Sequence, residues 1–417
     1  MNFEDFESSL ERFLREVGET NQAEQVALTE AFGRVLAQNV VASENLPLQK
    51  TSSMDGYAFV SLAKNETQDG CGCCDTNTHT PTHATPNLTT KKTELRCIGV
   101  SAAGGYDPNL AVKKGECVKT FTGALLPAGA DTVVPVENVE TNGECVTITK
   151  DVPRGFAVRE VGECYKKGEV VLRSGVRLGF GELGVLAEMG KAFVEVRAKR
   201  RVGILATGNE LLGFGEARKN PSQIYPSSTI MLFWLVRAWG GEAVILPVLK
   251  DECESVKEQI LASLKSVDIL VTTGGVSVGD FDFVKEVARS GEVLVDGASI
   301  KPGRHVKIAR FGEKLLFALP GFPLSSVITA TLYLKPLLRG AFEEKFSAVL
   351  AEDYAKKSGF CEFVPSVLSN ENGVLSVKRA GKKGSSAVID GLVKDAVVFV
   401  ARRELKKGDL VECFKFV

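Results

Sequence analysis

The chain has 417 residues, 44% of them hydrophobic, and a formal net charge of −1. A chain this long folds as two to four domains rather than around one core. The balanced charge supplies no concentrated basic face for nucleic acid, and no apolar run reaches the roughly 20 residues of a membrane-spanning helix.

The amino-terminal stretch MNFEDFESSLERF is acidic and amphipathic, unlike a signal peptide. Phe3, Phe6, Leu10, Phe13, Leu14 and Val17 fall on one helical face that Gly18 ends. A second helix is expected from Glu24 to Leu36. Residues 64–96 are rich in Thr, Asn, Gly, Pro and Asp. They carry too little apolar surface to fold alone and read as a flexible insertion. Within it, Cys71, Cys73, Cys74, His79 and His83 are ligand types for zinc or copper. Their spacing matches no familiar zinc finger, and the plainer reading is that they hold no physiological metal. The chain has ten cysteines; without an export signal they read as reduced thiols of a cytoplasmic protein. Cys117, Cys253 and Cys361 stand singly and read as small buried hydrophobes.

From Arg96 to Val171, the runs CIGVSAAG, ECVKTFTG, DTVVPVENV and CVTITKDV alternate with turn residues and form a β-rich module. From about Gly179 to Arg339, strands alternate with helices. VGILAT is a strand, and STIMLFWLVRAW a helix capped by Ser227 or Ser228 and stopped at Gly240-Gly241. EAVILPVL, ESVKEQILASLKSV, DILVTT and DFVKEVARS repeat the strand–helix rhythm. That alternation specifies a parallel sheet with crossovers. From about Ala341, VLSVKRA, AVVFVAR and LVECFKFV read as a small carboxy-terminal β domain.

Ligands of open parallel sheets sit beyond the carboxyl ends of the strands. Three glycine-bearing loops fall there: Thr207-Gly208-Asn209-Glu210, Gly274 to Asp280, and Leu319-Pro320-Gly321-Phe322-Pro323. Such loops bring backbone N–H groups and helix N-termini close to an anion such as a phosphate or a pterin nucleotide. One such loop alone would read as a tight turn; three on one edge favour a ligand site. None of these three loops is a dinucleotide GxGxxG or a P-loop, which weakens dehydrogenase and NTPase readings. Asp280 and Asp282, at a strand-to-helix handover, suit Mg²⁺ bridged to phosphates, and equally suit helix capping. Lys301-Pro302-Gly303-Arg304-His305 adds two cations for an oxyanion or phosphate.

Seven blocks in order carry a family resemblance: AFGRVLAQNV, LPLQKTSSMDGYAF, TFTGALLPAGADTVVPVENV, VGILATGNELL, VTTGGVSVGDFDFVKEV, IKPGR and LPGFPLSSV. Together they resemble the MoeA-type molybdopterin molybdenumtransferases, related to the carboxy-terminal domain of gephyrin. The resemblance implies a multidomain α/β plus β architecture. Its parts would be a linker domain (1–45 and 151–178), a β-rich domain (46–150), a pterin-binding α/β domain (179–335) and a β-barrel (336–417). It implies an enzyme that binds adenylylated molybdopterin and molybdate (or tungstate), releases AMP and leaves the metal on the dithiolene, assisted by Mg²⁺. The homodimer, and contact with other proteins of molybdenum cofactor biosynthesis, are likewise implied.

By motif match, Asp55 of MDGYA and Glu182 of GFGEL are active-site acids, and Thr122 and Gly123 belong to the TFTG substrate-binding block. Thr207, Gly208, Asn209, Glu210, Gly274, Gly275, Ser277 and Gly279 bind the pterin nucleotide. Asp280 and Asp282 sit near metal and phosphates, and Lys301 and Arg304 face the oxyanion, with Pro302, Gly303, Pro320 and Gly321 shaping the site.

The chain departs from the family pattern in three places. It reads Ile224-Tyr225-Pro226-Ser227-Ser228 for IYDSN, Phe322 for the Asn of LPGNP, and Arg304-His305 for the end of KPGKP. Loss of the IYDSN acid keeps a second reading open, a paralogue that binds or carries the pterin cofactor without turnover. A scaffold role is a third reading that nothing in the sequence singles out.

Overall fold

The computed structural model describes residues 4–18, 22–61, 93–250, 253–276, 283–340, 345–356, 358–380 and 397–417. The Cys/His segment 71–83 and the residues Ser277, Gly279, Asp280 and Asp282 lie outside them. The chain divides into two compact units, one of Met1–Ala37, Arg177–Gly179 and Ala192–Val417, the other of Gln38–Val176 and Phe180–Lys191.

The first unit contains a six-stranded sheet. Its strands are β1 (Arg201–Ala206), β2 (Glu242–Ile245), β3 (Ile269–Thr273), β4 (Glu292–Asp296), β6 (Lys307–Phe311) and β7 (Lys314–Leu319); β5 (Ile300–Lys301) belongs elsewhere. The order is β2-β1-β3-β7-β6-β4. The first four strands are parallel, as the alternating pattern requires. β6 alone runs antiparallel to its neighbours β7 and β4, and a tight turn rather than a crossover helix joins it to β7.

Alternate residues of each strand feed opposite faces. Val202, Ile204, Ile269, Val271, Leu315 and Phe317 join one core cluster, while Leu205, Leu270, Leu316 and Ala318 join the other. On the first face lie α1 (Phe6–Val17), α2 (Ser227–Ala238) and α5 (Pro323–Arg339); on the second lie α3 (Cys253–Ser266) and α4 (Phe283–Ser290). α1 forms as its stripe predicts. Asp5 caps it by accepting from Ser8 N at 3.3 Å. Phe13 is fully buried, edge-on to Phe317 and Tyr333. α5 was not evident in the sequence because its core-facing positions include Ser325, Ser326, Thr329 and Thr331. Thr329 and Thr331 return their hydroxyls to carbonyls four residues back.

Three expectations are corrected. No helix spans Glu24–Leu36: Ala23–Ala27 is a strand paired antiparallel with Phe193–Arg197, followed by a short 3₁₀ turn at Leu28–Glu30. Strand pairing there overrides local helix propensity. Neither Ser227 nor Ser228 caps α2; both lie inside the helix, whose N-cap position is Pro226. The polar segment ends before residue 93, since Thr93–Ser101 is a strand that buries Leu95.

The carboxy-terminal part of this unit is a closed β-barrel. β8 (Phe346–Leu350), β9 (Cys361–Glu371), β10 (Val374–Arg379), β11 (Val397–Ala401) and β12 (Leu410–Lys415) run in the order β9-β10-β8-β12-β11, and β11 pairs back to β9. Closure leaves no free edge within that ring. β5 adds to β9 in parallel, with Ile300 opposite Cys361 and Lys301 opposite Glu362.

The second unit is built on another six-stranded sheet, of Thr132–Pro135, Gly56–Phe59, Glu116–Thr120, Thr93–Ser101, Cys145–Ile148 and Val139–Asn142 in that spatial order. Tyr57, Phe59, Leu95, Cys117, Val134 and Val146 fill its core. Helix Phe180–Glu188 also belongs to this unit. Cys117 is buried as expected; Cys361 is half-buried, and both thiols are free. Among the described residues no helix is long and apolar enough to cross a membrane.

Removal of a fully buried phenylalanine ring leaves a cavity, so Phe13→Ala should lower unfolding free energy by about 3–5 kcal/mol. Denaturant melts would measure this. A loss below about 1 kcal/mol, the size of an ordinary surface change, would mean that α1 is not part of this core.

Candidate functional site

The register of the parallel strands sets the site. Ala206 stands opposite Thr273, and Thr273 opposite Leu319, so three strands end level. The loops after them meet: Thr207 N donates to Thr273 O at 3.2 Å, and Gly274 N to Leu319 O at 3.1 Å. Such close approach needs glycine. At Gly274, φ is +104° and a Cβ would stand 2.8 Å from Thr207 O.

These loops wall a cleft of about 990 Å³, within the range of small-molecule sites. It gathers the predicted residues Thr207, Glu210, Gly274, Gly275, Lys301, Pro302, Gly303, Arg304, Pro320 and Gly321. Gly208 and Asn209 belong to the first of these loops, where Lys250 Nζ holds the Asn209 and Leu211 carbonyls at 3.4 and 2.5 Å. Pro226, Phe322 and Arg304, one from each place where the chain departs from the family pattern, all line the cleft. Phe322 is 59% exposed there. Ser358 and Phe360 also line it and were missed by sequence reasoning. They sit on a short connection just before a strand, with no motif to mark them.

Among the described residues, the lining carries two cations, Lys301 and Arg304, and one carboxylate, Glu210. The N-termini of α2 and α5 open onto it through Pro226 to Ser228 and Phe322-Pro323, adding partial positive charge. Arg304 lies 5.8 Å from the ring centre of Phe360, and its Nε donates to His305 Nε2 at 3.0 Å, which requires the neutral imidazole. Thr207 is 5% exposed, and its hydroxyl has no hydrogen-bond partner among the described residues. A buried hydroxyl left unpaired costs about 1–3 kcal/mol, a demand that a bound ligand or water meets.

Just behind the lining, the buried Glu362 accepts from Lys301 Nζ at 3.2 Å, Ser358 Oγ at 2.6 Å and Tyr354 OH at 2.6 Å. Burial pushes this carboxyl up, but the bonds from Ser358, Tyr354 and Lys301 outweigh it and hold it below the usual carboxylate range.

The remaining predicted residues lie in the second unit. Asp55 Oδ1 accepts from Thr122 N at 2.8 Å and from Thr122 Oγ1 at 3.0 Å. The backbone bond first, then the hydroxyl, hold this exposed carboxyl below its ordinary range. Gly123 follows with φ +81° and its N–H on Ser52 O at 2.8 Å. Glu182 is in the first turn of helix Phe180–Glu188. Among the described residues there is no group of three or more His, Cys, Asp or Glu able to hold a metal ion.

Fold and cleft define a multidomain protein with a cleft of small-molecule size at the carboxyl edge of a parallel sheet. Family models match nearly the whole chain. The MoeA N-terminal region (domains I and II) matches residues 4–190, a probable molybdopterin binding domain residues 203–340, and the MoeA C-terminal region (domain IV) residues 347–416. The chain is 31% identical to the molybdopterin molybdenumtransferase of Staphylococcus aureus (strain COL), over 87% of this chain and 84% of that one. It is 30% identical to the enzyme of the same name from Bacillus subtilis (strain 168), over 91% and 85%. The crystal structure of the molybdopterin biosynthesis MoeA protein of Pyrococcus horikoshii OT3 superposes with a TM-score of 0.79 at 28% identity, covering 99% of both chains. The chain belongs to the molybdopterin molybdenumtransferase family. It is an enzyme of molybdenum cofactor biosynthesis that carries out the family's molybdate transfer.

Gly303 has φ +104°, and a Cβ there would stand 2.3 Å from Thr329 Cγ2 in α5. Gly303→Ala should therefore push the Lys301–Arg304 turn off α5 and destabilise the fold by about 1–3 kcal/mol. Thermal melts together with pterin-binding titrations check this. Unchanged melting and unchanged affinity would show that the turn is not held by this packing.

Proposed function

We propose that the cleft binds adenylylated molybdopterin and the oxyanion together: an oxygen of water or of the oxyanion attacks the phosphoanhydride and AMP leaves, while the metal passes to the dithiolene sulfurs and its displaced oxygens leave with the thiol protons as water. The observation that carries this is the meeting of Lys301 and Arg304 with the three glycine loops around the buried hydroxyl of Thr207, which has no hydrogen-bond partner among the described residues. In this reading, backbone N–H groups of the loops and the two helix N-termini bind phosphate, while the cations neutralise charge on the oxyanion and the departing AMP. Phosphoanhydride cleavage is mainly positioning and charge neutralisation, which is what such an arrangement supplies. Glu210 is poised to accept from a pterin or ribose donor. By their match to the family motifs, Asp55 and Glu182 are proposed as catalytic acids, and Thr122 and Gly123 as substrate-binding residues.

Mg²⁺ belongs to the proposal as a requirement, with Asp280 and Asp282 as the residues that would hold it. The described residues by themselves offer no fitting ligand set. We assign the segments 1–45 with 151–178, 46–150, 179–335 and 336–417 to the four family domains, and the enzyme to the cytoplasm as a homodimer. A native mass of one chain would contradict the dimer.

Turnover separates this reading from a pterin carrier. Purified enzyme given adenylylated molybdopterin, molybdate and Mg²⁺ should release AMP and form cofactor. Lys301→Ala should slow AMP release by roughly 10²- to 10³-fold, the size of losing one preorganised electrostatic contact. Asp282→Asn should abolish most of it without unfolding the protein. Tight pterin binding with no AMP release by the wild type would establish the carrier instead, and near-wild-type rates in both variants would remove these residues from the mechanism.

A further inference from the structure

We infer that Glu362 of the barrel is a positioning residue that aims Lys301 into the cleft. The inference rests on the reading above, in which Lys301 meets the substrate anion. Strand β9 lies parallel to β5 with Glu362 directly opposite Lys301, and Cys361 N donates to Ser299 O at 3.0 Å to hold that register. The Glu362 side chain is 4% exposed and that of Lys301 is 50% exposed, so the carboxylate works from within the wall on an ammonium that stands at the surface of the cleft.

A carboxylate this buried needs several donors to stay charged. Glu362 has three, with Lys301 and Ser358 on Oε1 and Tyr354 on Oε2. Tyr354 is in turn fixed edge-on to Phe399 of β11 at 5.3 Å. The segment from Ser358 to Glu362 thus touches both cations of the cleft: Glu362 pairs with Lys301, and the ring of Phe360 lies under Arg304.

Two physical consequences distinguish this role from a strand-to-barrel staple. A free lysine side chain samples many rotamers, which it loses on meeting an anion. Glu362 removes much of that freedom before substrate arrives, which favours the rate of the chemical step. Its negative charge also opposes the incoming anion. Loss of that charge therefore lowers turnover without weakening anion binding.

Steady-state AMP release at varied molybdate concentration tests this, with Glu362→Gln, Lys301→Ala and the double variant. For Glu362→Gln, kcat should fall roughly 10- to 100-fold, as small misplacements of a reacting group do, while KM for molybdate stays level or falls. In the Lys301→Ala background, adding Glu362→Gln should change kcat by less than about twofold, because the carboxylate acts through the missing ammonium. Wild-type kcat in Glu362→Gln, or an equal loss with and without Lys301, overturns the inference while leaving the cleft reading intact. Wild-type turnover in Lys301→Ala overturns the cleft reading, and the inference with it. Should circular dichroism show Glu362→Gln unfolded, Tyr354→Phe decides: it keeps the ring against Phe399 and removes one donor. A smaller fall in kcat at constant KM supports the role, and wild-type kcat contradicts it.

Discussion

The level ending of β1, β3 and β7 is the constraint on which the site depends. Each strand contributes one loop, and the loops touch because Ala206, Thr273 and Leu319 lie in register. A slip of one residue would turn every side chain of a strand to the opposite face. It would exchange the cluster containing Val271 with the one containing Leu270. Core packing and the geometry of the cleft are therefore set by the same choice. The hydrophobic faces that hold α1, α2 and α5 on one side and α3 and α4 on the other also hold Thr207, Gly274 and Gly321 together.

The barrel is more than an appendage to that sheet. Its strand β9 takes in β5, the two residues that lead into the Lys301–Arg304 turn. One end of the turn is thereby tied to a closed β structure, while Gly303 packs on α5 of the α/β layer. The cations are thus held from two sides. The charge arrangement is correspondingly economical: a buried carboxylate, an exposed ammonium and an arginine over an aromatic ring, with three donors satisfying the buried acid.

Sequence patterns made much of this legible. Runs such as VGILAT and DILVTT, buried on both faces, read directly as parallel strands, and the glycine loops fell where a parallel sheet puts its ligand. The motifs TGNEL, KPGR and LPGFP then marked residues that the structure gathers into one cleft. The misses have particular causes. Residues 24–36 look helical by composition, yet their first part pairs with Phe193–Arg197, a partner 166 or more residues away that no local pattern reveals. α5 hides behind core-facing serines and threonines that satisfy themselves along the helix. Ser358, Phe360 and Glu362 reach the cleft only through the pairing of β5 with β9, a contact across some 60 residues. Asp280 and Asp282 lie outside the described residues, so their role rests on the motif.

One cleft, walled by the sheet loops and the barrel segment 358–362, is proposed to receive the pterin substrate. Hydrogen exchange followed by mass spectrometry, with and without adenylylated molybdopterin, tests it most directly. The account predicts slowed exchange in peptides covering 207–211, 274–276, 301–304, 320–322 and 358–362 together. Saturating pterin that slows exchange in none of these, or in the sheet loops but not in 358–362, would contradict it.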